Sequence, residues 1–493
     1  MQTLRLKRGI AAIGFALTYT AMAVNWTGGG TDELFDPKNW GGETLDVTKD
    51  GTFWGGADLS LVMSEDYTVK ALFFYRNVEV DFKGKTMTVG GGDIRPLRGA
   101  HVKFSNGFVN ETTGTLRIGQ DGANSLLTLA GSTFAMTVPS MLIGQSEGSS
   151  FSGLIVENGA TLTSNNGMPL ANTTVNTSNN YAIVRGAGSR VNVTANNVTI
   201  GHQGIGGNNW VEVSDKAEFV CVKTLVGNHI ECPNNFLRIK DGGSYTNNGD
   251  MVIGNVAGCN GNRIEVLGGG DLYVKDNFYI SNNGSRDNEL IVSNASATVG
   301  KQMFLSVNDA SAQNIIRIID GSFTTGTGFR LGWGTESEGN RVFLRNGRVS
   351  TPGILVGKND PTVVKDNRIV FEGTNDTWVV SGNDISLKSG ATLEVDFPEK
   401  GRDPAVTCLE GLNANLNLDG TMRIIVNAKR HVRKLAQRTT YPLVRVNGQV
   451  AATALDHVSV DDPDHVSVEK TADGKGIDIV VKPGRKGLTV IVR

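Results

Sequence analysis

The chain has 493 residues, 63 of them Gly and only 12 Pro, with 19% charged residues and a formal net charge of −2. Charge this balanced excludes a global field for nucleic acid or an anionic membrane, and patterning this apolar and regular excludes disorder. Short Val/Ile/Leu runs alternate with Gly and Asn where long Ala/Leu/Glu/Lys stretches would be needed, which excludes ordinary α/β domains.

At the N-terminus, Lys7 and Arg8 precede an apolar stretch from Gly9 to Ala23 that ends Ala21-Met22-Ala23. A positive start, a short apolar core and an A-x-A end predict a Sec-type signal peptide over 1–23, cleaved after Ala23. The mature chain is then expected to be secreted, extracellular or held at the cell surface. The apolar core is too short for a stable membrane anchor, and no later run approaches the ~18 apolar residues of a membrane helix. Residues 24–75, which carry Trp26, Trp40 and Trp54, are expected to form an N-terminal cap.

From 76 to 400 a repeat dominates. Asn209, Asn235, Asn262, Asn288, Asn314, Asn340 and Asn367 each open an apolar run, at gaps of 26, 27, 26, 26, 26 and 27 residues. Looser copies begin at Ser125, Ser152 and Asn180. A second column keeps the same beat: Val226-Gly227, Ile253-Gly254, Ile280-Ser281, Leu305-Ser306, Leu331-Gly332 and Val356-Gly357. Each repeat holds three short strand-like runs between Asp, Asn and Gly turns, and none is long enough for a helix. One repeat cannot bury its own apolar face, but coils stacked at ~4.8 Å pair each strand with its equivalent in the next. Ten or so coils would make a rod about 50 Å long. Residues two and four after the Asn, such as Val211/Val213, Leu237/Ile239 and Ile369/Phe371, point inward on this reading and their neighbours outward. The Asn column itself suits a left-handed turn and a ladder of side-chain bonds.

With this period and patterning, the chain resembles the secreted bacterial right-handed parallel β-helix proteins, the superfamily of autotransporter passenger domains and pectin-lyase-like enzymes. The resemblance implies an all-β fold: a right-handed β-solenoid with three strands per ~26-residue coil and β-rich caps at both ends. The opening from Trp26-Thr27-Gly28 to Asn39-Trp40 is similar to that of repeat-rich bacterial surface proteins.

After about residue 400 the beat is lost, and 401–493 are expected to form a β-rich C-terminal cap with strands at Tyr441–Val446, His457–Val460 and Gly476–Val481. An uncapped end would expose unpaired backbone and invite self-association. The basic stretch Lys429, Arg430, Arg433, Lys434 and Arg438 is read as a solvated face.

Candidate chemistry lies on the coils. Cys232 and Cys259 each precede a repeat Asn by three residues. They are therefore stacked equivalents, at a coil spacing inside the Cα window of a disulfide. The alternative is two free turn thiols. No Cys/His spacing suggests a metal site, and no cofactor motif is found. Glu212, Arg238 and Glu265 form an outward charge ladder, read as structural. Arg317, Arg341, Arg345 and Arg368 share or neighbour that face, and their planar forks suit carboxylate or sulfate groups. Tyr279, Phe304 and Arg330 precede second-column residues, so they should point outward on successive coils as a platform for sugar rings. The aspartates are scattered among turn positions, and no nucleophile elbow is present.

The expectation is a non-catalytic extracellular solenoid with a structural or adhesive role, contacting polysaccharide or cell-surface components. The alternative is a polysaccharide lyase or glycoside hydrolase. A tight outward cluster of acidic residues with a basic one in a groove would favour the enzyme; a flat polar face with ladders and no cleft would favour the structural protein.

Overall fold

The computed structural model describes residues 23–172, 177–203, 206–306, 311–334, 336–357, 365–399, 401–418, 422–432, 435–450 and 452–483. Residues 1–22 of the segment expected to be a signal peptide, Arg433, Lys434 and the last ten residues lie outside them. The chain is a parallel β-solenoid of about 14 turns. Among the described residues no helix is long and apolar enough to cross a membrane.

Each coil contributes one strand to each of three sheets. In one coil these are Trp210–Ser214, Glu218–Cys221 and Lys223–Val226, here called the first, second and third sheets. Equivalent residues of neighbouring coils pair in parallel register: Val211 with Leu237, Leu237 with Ile264, and Ile264 with Leu290. The expected inward residues are buried on every coil. They fuse with the apolar residues of the other two sheets into one core along the rod. The inner faces are continuous because alternation along each strand is kept in step by the register; a slip of one residue would turn every apolar side chain outward.

The repeat asparagines form the ladder, with one difference in detail. Asn180, Asn209, Asn235, Asn262, Asn288, Asn314, Asn340 and Asn367 are all fully buried. The left-handed residue is the one before each: Asn179, Asn208, Asn234, Gly261, Asp287, Gln313, Gly339 and Asp366 all have positive φ. That twist aims the following amide into the stack. Asn262 Oδ1 accepts both the backbone N–H and the Nδ2 of Asn235, each at 3.0 Å. The pattern repeats from Asn180 to Asn367. The second column explains itself against this ladder. Gly227 has φ 74°, and a Cβ there would stand 2.5 Å from Asn262 Nδ2. Where the column carries Ser306 instead, its hydroxyl joins the ladder, donating to Asn340 Oδ1 at 2.6 Å.

Stacking runs further than the 26-residue beat. Strands Asp50–Phe53, Leu59–Val62 and Tyr67–Val69 already pair with the coils that follow, inside the segment expected to be cap. Their coils are shorter, so the beat does not mark them. The end itself is closed by Leu34, Phe35, Trp40 and Leu45, all buried, with Phe35 stacked on Tyr67 and Trp40 Nε1 donating to Leu34 O. At the other end the second sheet turns antiparallel through Thr439–Val446, Gly476–Val481 and Val466–Lys470. The basic stretch contributes one short helix, Lys429–Val432.

Candidate functional site

The outer face of the first sheet carries the charge ladder as expected: Arg238 lies 2.6 Å from Glu265 and 3.8 Å from Glu212. The arginine group does not form a single column. Arg317 belongs to the middle outward column, Arg341 and Arg368 pair with each other in the leading one, and Arg345 lies in the trailing one. Each has a carboxylate: Arg317 with Glu289 at 2.7 Å, Arg345 with Glu372 at 3.2 Å, and Arg341 with Asp366 at 4.0 Å. Arg368 is held between Asp366 at 2.6 Å and Glu394 at 2.7 Å, and these bonds raise its pKa further. These forks are largely committed to partners within the coil stack.

The leading column also holds an aromatic ladder that sequence reasoning missed. Tyr181, Trp210 and Phe236 stack on three successive coils, with centroids 4.9 and 5.9 Å apart. Arg263 and Arg238 cover the last ring at 5.0 and 5.1 Å. Gly153 lies directly beneath the Tyr181 ring, where a Cβ would come within 2.2 Å of it. The signal was present: each ring is the residue after a ladder asparagine.

On the third sheet, Tyr279, Phe304 and Arg330 are aligned on successive coils as expected. The two rings stack at 4.9 Å and 2°, so each occupies a face of the other. Arg330 then covers Phe304, with its guanidinium carbon 5.6 Å from the ring centre and 4.4 Å from that of Trp333. Trp333 was not anticipated.

A cleft of about 470 Å³ opens at the edge of the first sheet, lined by Asp287, Gln313, Ile315, Glu338, Gly339, Arg341, Lys365 and Asp366. The left-handed residues before the ladder asparagines form its floor. It therefore gathers three carboxylates and two cations in one groove. Among the described residues, no group of three or more His, Cys, Asp or Glu is placed to hold a metal ion.

A different acid pair sits at the corner between the second and third sheets. Glu111 occupies an inward position between Val89 and the apolar core, 2% exposed, and neither carboxyl oxygen is hydrogen-bonded. Burial pushes its pKa up to about 8, helped by the charge of Asp93, and the nearby Ile94 N–H, Arg117 and Arg95 do not compensate. Asp93 goes the other way. Burial would raise it, but the Thr115 N–H, Arg117 and Arg95 hold it below its ordinary value, with Arg117 Nε at 2.7 Å. The split is that of an acid and a base, but Glu111 faces the core. It lies upstream of the regular beat, where no column could be read.

Cys232 and Cys259 stack on neighbouring coils as the register requires, and both are buried free thiols. The expected bridge is not closed, because each sulfur is engaged elsewhere: Cys232 Sγ accepts from Asn235 Nδ2 at 3.4 Å, and Cys259 Sγ donates to Cys232 O at 3.5 Å. Burial pushes the thiols up to about 11 and about 12, so neither is an activated nucleophile.

Comparison with protein-family models, with curated proteins and with solved structures returns no match.

Proposed function

We propose that this chain is a non-catalytic extracellular or cell-surface solenoid with a structural and adhesive role, contacting glycans through outward residues of its coils. It is the reading best supported by how the outer faces are built. Their charges and rings repeat from coil to coil and satisfy one another, as in Glu212–Arg238–Glu265 and Tyr181–Trp210–Phe236. A long surface of repeated elements suits avidity toward an extended partner better than turnover of a small one. Right-handed winding of the autotransporter-passenger or pectin-lyase type, and export through the leader ending at Ala23, belong to the same proposal.

A second reading, a polysaccharide lyase or glycoside hydrolase, is favoured by the cleft that sets Asp287, Glu338 and Asp366 beside Arg341 and Lys365. One experiment separates the two. The purified chain is screened on a glycan array, and every glycan that binds is incubated with it and assayed for new reducing and unsaturated ends. Binding without product is the expected result. Product that disappears in the Glu338→Gln or Asp287→Asn variant would replace the adhesive reading with the enzymatic one.

A further inference from the structure

The aromatic column of the third sheet ends in a way that singles out one cation and one ring. Rings stacked at the coil spacing cover one face of each other, and the second face of Tyr279 lies toward Val252, in register on the preceding coil. Phe304 gives its remaining face to Arg330. Arg330 also lies over Trp333, whose side chain remains 36% exposed. Trp333, in the turn beside the column, is the most exposed of these rings.

Both residues depart from what the repeat does elsewhere. Asn228, Asn255 and Asn282 occupy the position of Trp333 on earlier coils and bond to one another in a short ladder. The ladder has no use for an indole. The outward column in which Arg330 stands runs Val252, Tyr279, Phe304, Arg330, Leu355 and Ser386, with no acidic residue beside the arginine in register. Arg317, Arg341, Arg345 and Arg368 of the first sheet all have carboxylates. Among the described residues Arg330 has no ion pair, only two rings. Those rings fix the plane of the guanidinium without using its N–H donors, which preorganises the fork for an anion supplied from outside.

We propose that Arg330 and Trp333 form a subsite for an anionic sugar, a pyranose bearing a carboxylate or sulfate group. The anion lies against the Arg330 fork in two parallel N–H···O bonds, and the sugar ring stacks on the free surface of Trp333. This subsite rests on the glycan-contacting reading above and gives it a ligand class.

Affinity electrophoresis of the full purified chain tests it, in gels containing polygalacturonate for the carboxylate, dextran sulfate for the sulfate, and dextran as the neutral polymer. The wild type is expected to be retarded by at least one acidic polymer. Arg330→Gln and Trp333→Ala should each weaken that retardation about tenfold or more. Arg330→Lys, which keeps the charge but loses the fork, should weaken it as well. Arg190→Gln, a second-sheet surface change paired with Glu218, should bind like the wild type. Matched circular dichroism and melting curves establish that each variant is folded, and Arg330→Lys carries the test if a neutral variant is not. Retardation by acidic polymers that survives all three substitutions would overturn the subsite and leave the adhesive reading standing. A wild-type chain retarded by dextran alone would also overturn it. Retardation by none of the polymers, with an empty glycan array, would overturn both.

Discussion

Two buried polar corners of this solenoid solve the same problem in opposite ways. At the asparagine corner, a polar side chain is removed from water on coil after coil, and each is satisfied by its own copy one coil away. At the Glu111 corner, a single carboxyl is buried in register with Val89 and near the charge of Asp93, with no copy above or below. A stacked repeat makes the first arrangement cheap, because the group that needs a partner is the same group that supplies one. It makes the second costly, since the register sets Val89 beside the carboxyl and no matching polar group on the next coil. Repetition here acts as a hydrogen-bonding device as well as a packing device.

The sharpest way to break the comparison is to remove one rung. Asn262→Ala takes away the acceptor of Asn235 N–H and Nδ2 and the donor to Cys259 O. Buried groups left unsatisfied cost ~1–3 kcal/mol each, so the loss should be about 4 kcal/mol. Denaturant unfolding would measure it, and hydrogen exchange should place the weakened amides in the two coils beside residue 262. A cost below about 1 kcal/mol would mean that the ladder is decorative.

A third corner shows a lone polar group satisfied by a dedicated partner. Asp376 and Arg402 are fully buried and lie 3.0 Å apart, and Arg402 also donates to Gly373 O at 2.7 Å and Asp376 O at 3.3 Å. Burial lifts the Asp376 carboxyl above its ordinary value despite the arginine beside it. Arg402→Met should cost about 3 kcal/mol by leaving that carboxyl unpaired in the interior. Arg402→Met with Asp376→Leu should recover most of this; a double variant as unstable as the single would point to lost packing instead.

Legibility follows the same division. The Asn column, the inward pairs and the Gly/Ser column were readable because each recurs at one spacing, and a column in sequence becomes a column in space. The meeting of Asp376 and Arg402 was not readable, because Trp378 pairs with Leu409, 31 residues on, and the 26-residue beat no longer sets the register there. Nor were the strands at Asp50–Phe53 and Leu59–Val62, since their shorter coils break the spacing. Tyr279 and Phe304 were placed correctly as outward residues. The coil spacing sets the two rings face to face, a contact that the shared outward position implies. Trp333 and Glu111 escaped for a common reason: each is an exception to its column, and periodicity cannot show what a single departure does.

Glu111 offers the most diagnostic test. In the fold it holds its proton up to about pH 8, whereas the unfolded chain releases it near 4.5. Between those values the unfolded state carries fewer protons than the folded one. Stability therefore falls as pH rises through this window and levels off above it. Glu111→Val continues the apolar column of Val89 and Val138 and removes the titration. The gap between the variant and the wild type should widen by up to about 5 kcal/mol from pH 4.5 to pH 9, the worth of the raised pKa. Urea midpoints of the two chains from pH 4 to 9 would show this as curves that separate with rising pH. Parallel curves would mean that Glu111 is ionised and solvated in the fold, and that this corner is as well satisfied as the asparagine one.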